Sequence, residues 1–302
     1  MRFLGRLLNR FDRPQATEPG LDTALERAAA KIDPRIKQTR AWPQRYRTPL
    51  LGALTQARRV AGAIPGPVQV DAGQYIRDPL VRALFCSADD VRRSLCSSPA
   101  LQGYYGGSVY ALLSVRRMEK NTLGIEANGD ILRRDVLQRL VWFTDLQLSG
   151  PAETEAEARR LLLWTLYDRF LERVLIGVQR VETDYQRLLR QKDEILLRLH
   201  KAEGQVRREL QRSLENVLRQ LAETARALEP ETRADIVETV LSHPEDCLYV
   251  DNDSVILDPM GVVRSSEDPP ATRLGFTQLH ERYQEPRTVA LIHCTDLRPL
   301  DV

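Results

Sequence analysis

The chain has 302 residues, 42% of them apolar and 28% charged, with a formal net charge of +2. This is the composition of a folded protein with room for two or three domains, which excludes a low-complexity or disordered chain. The small net charge selects no class of partner. No apolar run approaches the roughly 18 residues of a membrane span, and Cys86, Cys96, Cys247 and Cys294 lack the spacing of a disulfide framework, so a cytoplasmic protein with reduced thiols is expected.

The first thirteen residues, MRFLGRLLNRFDR, are amphipathic. Phe3, Leu4, Leu7, Leu8 and Phe11 share one side of a helical wheel, with four arginines beside them. That combination suits an anionic membrane surface or a protein partner, which would make the chain peripheral to a membrane. Residues 14–20 read as a linker. Residues 34–70 contain no acidic residue. There Arg35, Lys37, Arg40, Arg45 and Arg47 surround Trp42 and Tyr46, a mixture of cations for phosphates and rings for bases that marks a candidate nucleic-acid contact. The skew of 39 arginines to 5 lysines weakens the weight of any single arginine.

Short helices are expected over residues 21–32, 79–85 and 89–96. The glycine-rich run at residues 103–108 lacks the Lys-Ser/Thr ending of a P-loop and reads as a turn. From Val109 the pattern becomes β, with strands expected over residues 109–117, 122–126, 131–136 and 139–146 and a hairpin turn at Asn128-Gly129. This is an antiparallel meander.

Residues 153–228 contain no proline and only two glycines, Gly177 and Gly204. Thr154 and Glu157 have capping-box spacing. Leu171, Val174, Val178, Val181, Tyr185, Leu188, Ile195, Leu199 and Val206 recur at an average spacing of about 3.5, the seam of a coiled coil, with Lys192 at one seam position. Leu210, Leu214, Val217 and Leu221 carry the seam on. An unbroken helix would reach about 110 Å. It is expected either to pair with a second copy, the favoured reading because the seam runs through Gly204 in phase, or to fold back near His200 to Gly204. After Pro230 a short helix and further strands follow. Leu274-Gly275 and Thr295-Asp296-Leu297 repeat Leu123-Gly124 and Thr144-Asp145-Leu146 at the same spacing, a weak sign of duplication.

No catalytic constellation emerges. His243, Cys247, His280, His293 and Cys294 lack zinc-site spacing, and Asp251-Asn252-Asp253 lacks the glycine and glutamate of a calcium loop. No cofactor is expected. The sequence therefore reads as α+β: residues 1–20 an amphipathic segment and linker, 21–148 a mixed region ending in the meander, 149–229 a long coiled-coil helix, and 230–302 a small β module. The function expected is a non-enzymatic interaction or scaffold protein, homodimeric through the seam and bound to a further protein. Nucleic-acid binding and peripheral membrane association are the alternatives.

Overall fold

The structure is a computed structural model that describes residues 20–104, 107–128, 131–295 and 297. Its helices are α1 (Leu21–Ile32), α2 (Gln44–Ala63), α3 (Gln74–Arg77), α4 (Pro79–Leu84), α5 (Ala88–Cys96), α6 (Glu155–Leu199), α7 (Gly204–Ala227), α8 (Arg233–Val240) and α9 (Pro244–Cys247). Its strands are β1 (Val68–Val70), β2 (Val109–Asn128), β3 (Ile131–Ala152), β4 (Leu248–Leu257), β5 (Thr272–Glu281) and β6 (Arg287–Cys294). The fold is α+β and comprises two compact units. Each is assembled from stretches far apart in sequence: Ala57–Trp164 with Glu245–Val302, and Glu18–Gln56 with Thr165–Pro244. Neither unit corresponds to one consecutive segment of the chain.

The first unit is built on a six-stranded sheet of order β3-β2-β6-β5-β4, with β1 parallel to β6. β6 is central and nearly continuously apolar, and Val289, Ala290, Leu291 and Ile292 are all buried, as a strand covered on both faces requires. On β2, Val109, Ala111, Leu113 and Val115 alternate into the core. The ladder also returns on itself. Leu140 of β3 bridges Val262, and Val263 bridges Leu257 of β4. Val141 N–H donates to Gly261 O (2.8 Å), and Val263 N–H to Arg139 O (2.8 Å). Residues 261–264 thus close the strand order in the manner of a small barrel, around Val141, Val255, Leu257, Leu274 and Phe276.

The four short strands expected between residues 109 and 146 are two long ones. The expected interruptions, residues 118–121 and 137–138, lie inside an unbroken stretch of the β2–β3 ladder; the register shifts elsewhere, between Tyr110 and Leu112, Ser114 and Arg116, and Gly124 and Glu126. Asp135, Asp145 and Gly150 take positive φ (59°, 52° and 60°). A bulge inserts a residue and twists the ribbon without ending the ladder. Asn128, expected in the hairpin turn, pairs with Ile131 and belongs to the ladder; Gly129 lies outside the described residues. β2 pairs with β6 only as far as Val115. Among the described residues, β2 and β3 beyond Lys120 and Arg139 pair only with each other.

The segments of the suspected duplication are both antiparallel pairs, β2–β3 and β5–β6, but their registers differ. Glu126 faces Arg133, whereas Thr277, its aligned position, faces Val289, which aligns with Gln138.

In the second unit, α1 docks on α6 through Arg27, whose Nε and Nη2 donate to Asp168 Oδ1 (2.6 Å) and Oδ2 (2.7 Å), and through Tyr167 OH, which donates to Ala24 O (3.0 Å). A Cβ at Gly177 would lie 3.2 Å from Val240, so glycine lets α8 approach α6 closely. The expected cap of α6 is present, with Glu157 N–H donating to Thr154 Oγ1 (3.3 Å).

The continuous helix expected over residues 149–229 is not observed. α6 ends at Leu199, and α7 begins at Gly204, whose φ is +59°. Leu188 and Ile195 of α6 share one buried cluster with Leu210, Val217 and Leu221 of α7, so the two helices fold back as an antiparallel hairpin. The seam's phase through Gly204 could not separate the two arrangements, because the same apolar row serves either. Glycine decides it, taking a left-handed turn at little cost, and the tethered second helix finds its partner without waiting for another chain.

Candidate functional site

Asp258 follows β4 and organises a cleft in the first unit. Its Oδ1 accepts from Met260 N–H (2.9 Å) and Val262 N–H (3.0 Å), and its Oδ2 accepts from Arg264 Nε (3.0 Å) and Nη2 (2.7 Å). A side chain that binds backbone N–H groups two and four residues on imposes a tight turn. The turn needs Gly261, which has φ +80° and whose Cβ, if present, would sit 2.5 Å from Val141 O.

The facing wall is α4 and its flanks. Asp78 caps α4 by accepting from Leu80 N–H (2.8 Å), with Pro79 in the first turn. Tyr75 OH donates to Cys86 O (2.9 Å), and Arg82 Nη2 donates to Ile76 O (2.5 Å). Between the two walls lies a cleft of about 230 Å³, lined by Phe85, Trp142, Phe143, Leu257, Met260 and Leu274 among others. Met260 is 82% exposed and stands at the rim. The charged groups here are already satisfied, Asp258 by four donors and Arg82 by two carbonyl acceptors. The cleft is smaller than the roughly 300–1,000 Å³ of sites that enclose drug-sized ligands. Its size and lining suit one apolar side chain.

A second, polar depression lies between β2, the middle of β4 and the end of β5, lined by Arg116, Arg117, Asp251, Asp253, His280 and Glu285 among others. Arg117 pairs with Glu119 and Asp253 (2.6 Å each) and lies over the Phe276 ring, and Arg116 pairs with Glu285. The Arg117–Asp253 pair ties β2 to β4, and the Arg116–Glu285 pair ties it to the β5–β6 connection.

The seam residues fall into three groups. Leu171 and Val174 are fully buried in the second unit, while Val178 and Val181 are half-buried. Leu188, Ile195, Leu210, Val217 and Leu221 form the hairpin core, with Tyr185, Leu199 and Leu214 packed on it. Val206 is exposed, because it sits beside the turn. Lys192 is half-buried in the seam and pairs with Asp193 (3.2 Å), its stem covering apolar surface while its head reaches out.

The basic segment is paired within the second unit. Arg35 donates to Asp33, Lys37 pairs with Glu26, Arg45 binds Asp235 and Glu238 (2.7 Å each), and Arg47 lies 4.0 Å from Asp22. The Arg35 guanidinium holds the Asp33 carboxyl below its usual range. Tyr46 is fully buried beside Trp42, with ring centroids 5.2 Å apart. Burial pushes its hydroxyl up to about 12 and takes the ring away from any base that would stack on it. Arg40 is exposed. The structure gathers Arg35, Lys37, Arg45 and Arg47 as links to α1 and its flank and to α8.

Phe3, Leu4, Leu7, Leu8 and Phe11 lie outside the described residues. His293 stacks on Tyr110 (4.3 Å) and His280 on Tyr249 (4.6 Å). Cys247 and Cys294 are buried, and burial pushes the Cys294 thiol up to about 12. Among the described residues, no group of three or more His, Cys, Asp or Glu is placed to hold a metal ion, and no helix is long and apolar enough to cross a membrane.

Sequence reasoning missed the cleft because its walls come from segments more than a hundred residues apart. Asp258 reads in the sequence as an isolated carboxylate. The turn signal Asp258-Pro259-Met260-Gly261 was the legible part. No protein-family model matches this chain, and neither a curated protein nor a solved structure matches it.

Proposed function

We propose that this chain is a non-enzymatic interaction protein that receives an apolar side chain of a protein partner in the cleft between α4, β3 and the β4–β5 connection. The observation that carries this reading is the cleft's lining. Trp142, Phe143, Leu257, Met260 and Leu274 surround about 230 Å³ whose neighbouring charges are already satisfied. Aromatic and methionine side chains around one anchoring pocket are what protein interfaces concentrate, and Met adapts to partners of different shape. The homodimer expected from the seam rests on residues that one chain already closes against itself, so the reading stands on the cleft.

The test is selection of displayed random peptides on the purified chain, followed by binding to an Ala83→Trp variant. Ala83 lines the cleft, and a large ring there would fill it. Enriched peptides that share one Leu, Phe or Trp anchor and lose affinity at least tenfold for the variant support the reading. Peptides that bind the variant equally, or no enrichment, remove it.

A further inference from the structure

Buried polar groups in folded chains are paired almost without exception, and each exception calls for a partner. Two such groups stand together in the second unit, where the start of α2 meets the start of α8. Arg233 is the first residue of α8 and only 8% exposed, and among the described residues its Nε and Nη1 have no hydrogen-bond acceptor. Tyr46 of α2 is fully buried, and its hydroxyl has no partner either. The two ends are held together by Arg45, which binds Asp235 and Glu238 of α8 (2.7 Å each). Burial raises the Tyr46 hydroxyl, and Arg45 and Arg233 are the cations close enough to oppose it. The carboxylates nearby are committed elsewhere. Asp33 accepts from the Arg35 backbone N–H (3.0 Å), Nε (3.0 Å) and Nη2 (2.8 Å), while Asp235 and Glu238 hold Arg45. A guanidinium cannot answer burial by losing its proton, so Arg233 requires a negative partner. The end of the helix adds to the demand. Side chains tilt toward the N-terminus of their helix, so that of a first residue points back past it. Thr232 occupies the N-cap position there without capping, because its hydroxyl donates to Arg226 O (2.6 Å) and Glu229 O (2.9 Å). The positive end of the α8 dipole is thus left without a side-chain cap.

We propose that Arg233, the Tyr46 hydroxyl and the N-terminus of α8 bind a small oxyanion of the phosphate class. A guanidinium and a helix N-terminus are the two devices by which proteins hold oxyanions, and here they meet beside a phenol with a proton to donate. Donors from a guanidinium, a phenol and a helix end call for more than one acceptor atom, which phosphate has and a halide lacks. The burial of both side chains limits the ligand to a small ion. Asp33 does not compete for Arg233, because three donors of Arg35 already occupy it.

The test is calorimetric titration of the full chain with inorganic phosphate and, separately, with chloride at constant ionic strength, with the thermal midpoint recorded in each. Phosphate is expected to bind at a single site and to raise the midpoint by about 2 °C or more once it exceeds its dissociation constant about tenfold. Chloride is expected to do neither. Arg233→Gln is expected to weaken phosphate binding at least about tenfold, the weight of a hydrogen bond to a charged group, and Tyr46→Phe about fivefold. Tyr46→Phe also separates a binding role from a structural one. In chloride it should leave the midpoint unchanged or higher, because it removes a buried hydroxyl that has no partner, and in phosphate it should gain less than the wild type. A hydroxyl that only supports the fold would lower the midpoint equally in both, and that result overturns the proposal. So does a wild type that does not respond to phosphate, or one that responds as much to chloride. Variants at both positions that bind phosphate like the wild type overturn it as well. Tyr46→Phe keeps the ring that packs beside Trp42, so it decides the question on a folded chain even where Arg233→Gln does not fold.

Discussion

The α6–α7 hairpin and the β2–β3 ribbon are both long antiparallel pairs, yet they treat their apolar residues in opposite ways. The helices bury Leu188, Ile195, Leu210, Val217 and Leu221 between themselves. The ribbon leaves Leu123, Ile125 and Leu137 open. The difference is geometric. Side chains radiate from a helix, so a stripe on each of two helices meets along the line between them. Side chains on a ribbon stand perpendicular to the plane of the two strands, so a ribbon cannot cover its own face and needs another layer. For β2 and β3 that layer exists only as far as β6, β5 and β4 reach, which is why one face is core at Val141 and bare at Leu137.

The sharpest way to break this contrast is at the ribbon's base. Gly261→Ala forces a Cβ to 2.5 Å from Val141 O in a left-handed backbone. It should cost about 3 kcal/mol, because strain and the lost bridge add, and thermal unfolding would show it. In the helical hairpin, Ile195→Ala should cost about 2 kcal/mol, with amide protons of α7 exchanging faster while those of β6 stay protected.

Gly204→Ala separates the two helical arrangements by sign. In the hairpin, alanine at φ +59° should destabilise by about 1–2 kcal/mol. In an unbroken helix it would stabilise by about 1 kcal/mol. A rise in denaturation midpoint would therefore restore the continuous helix.

The clip between the ribbon and β6 offers a pH test. Arg287 donates to Asp145 Oδ2 (2.7 Å) and to Ser114 Oγ (2.6 Å), and the guanidinium holds the Asp145 carboxyl below its usual range. A carboxyl depressed in the folded state contributes stability above the ordinary carboxylate value of about 3.9 and loses it as pH falls through the lower folded value. Because Asp145 is half-exposed, the loss should be only about 0.5 kcal/mol. Asp145→Asn should flatten that part of the stability profile below about pH 4. The smallest effect belongs to the bare row. Leu123→Ser with Leu137→Ser should shift stability by less than about 0.5 kcal/mol, against the large cost at Ile195. A large loss there would mean that the row is covered.

Local signals settled much of the architecture in advance. Thr154 and Glu157 marked the start of α6, Asp78 and Ser87 cap the short helices placed at residues 79–85 and 89–96, and alternation placed Val109 to Val115 in a strand. These depend on a few neighbouring residues, so the sequence holds the whole of their cause. The choice between a continuous helix and a hairpin was not of that kind, since one apolar row satisfies both and only the turn at Gly204 and the packing of Leu188 and Ile195 on α7 decide. The same holds for Arg35, Lys37, Arg45 and Arg47. Their charge is plain in the sequence, but the carboxylates that absorb it, Asp33, Glu26, Asp235, Glu238 and Asp22, lie as far as 193 residues away. Residue types fix what each segment is able to form. Which apolar faces end up covered, and which charges end up paired, depends on long-range contacts that no local pattern contains.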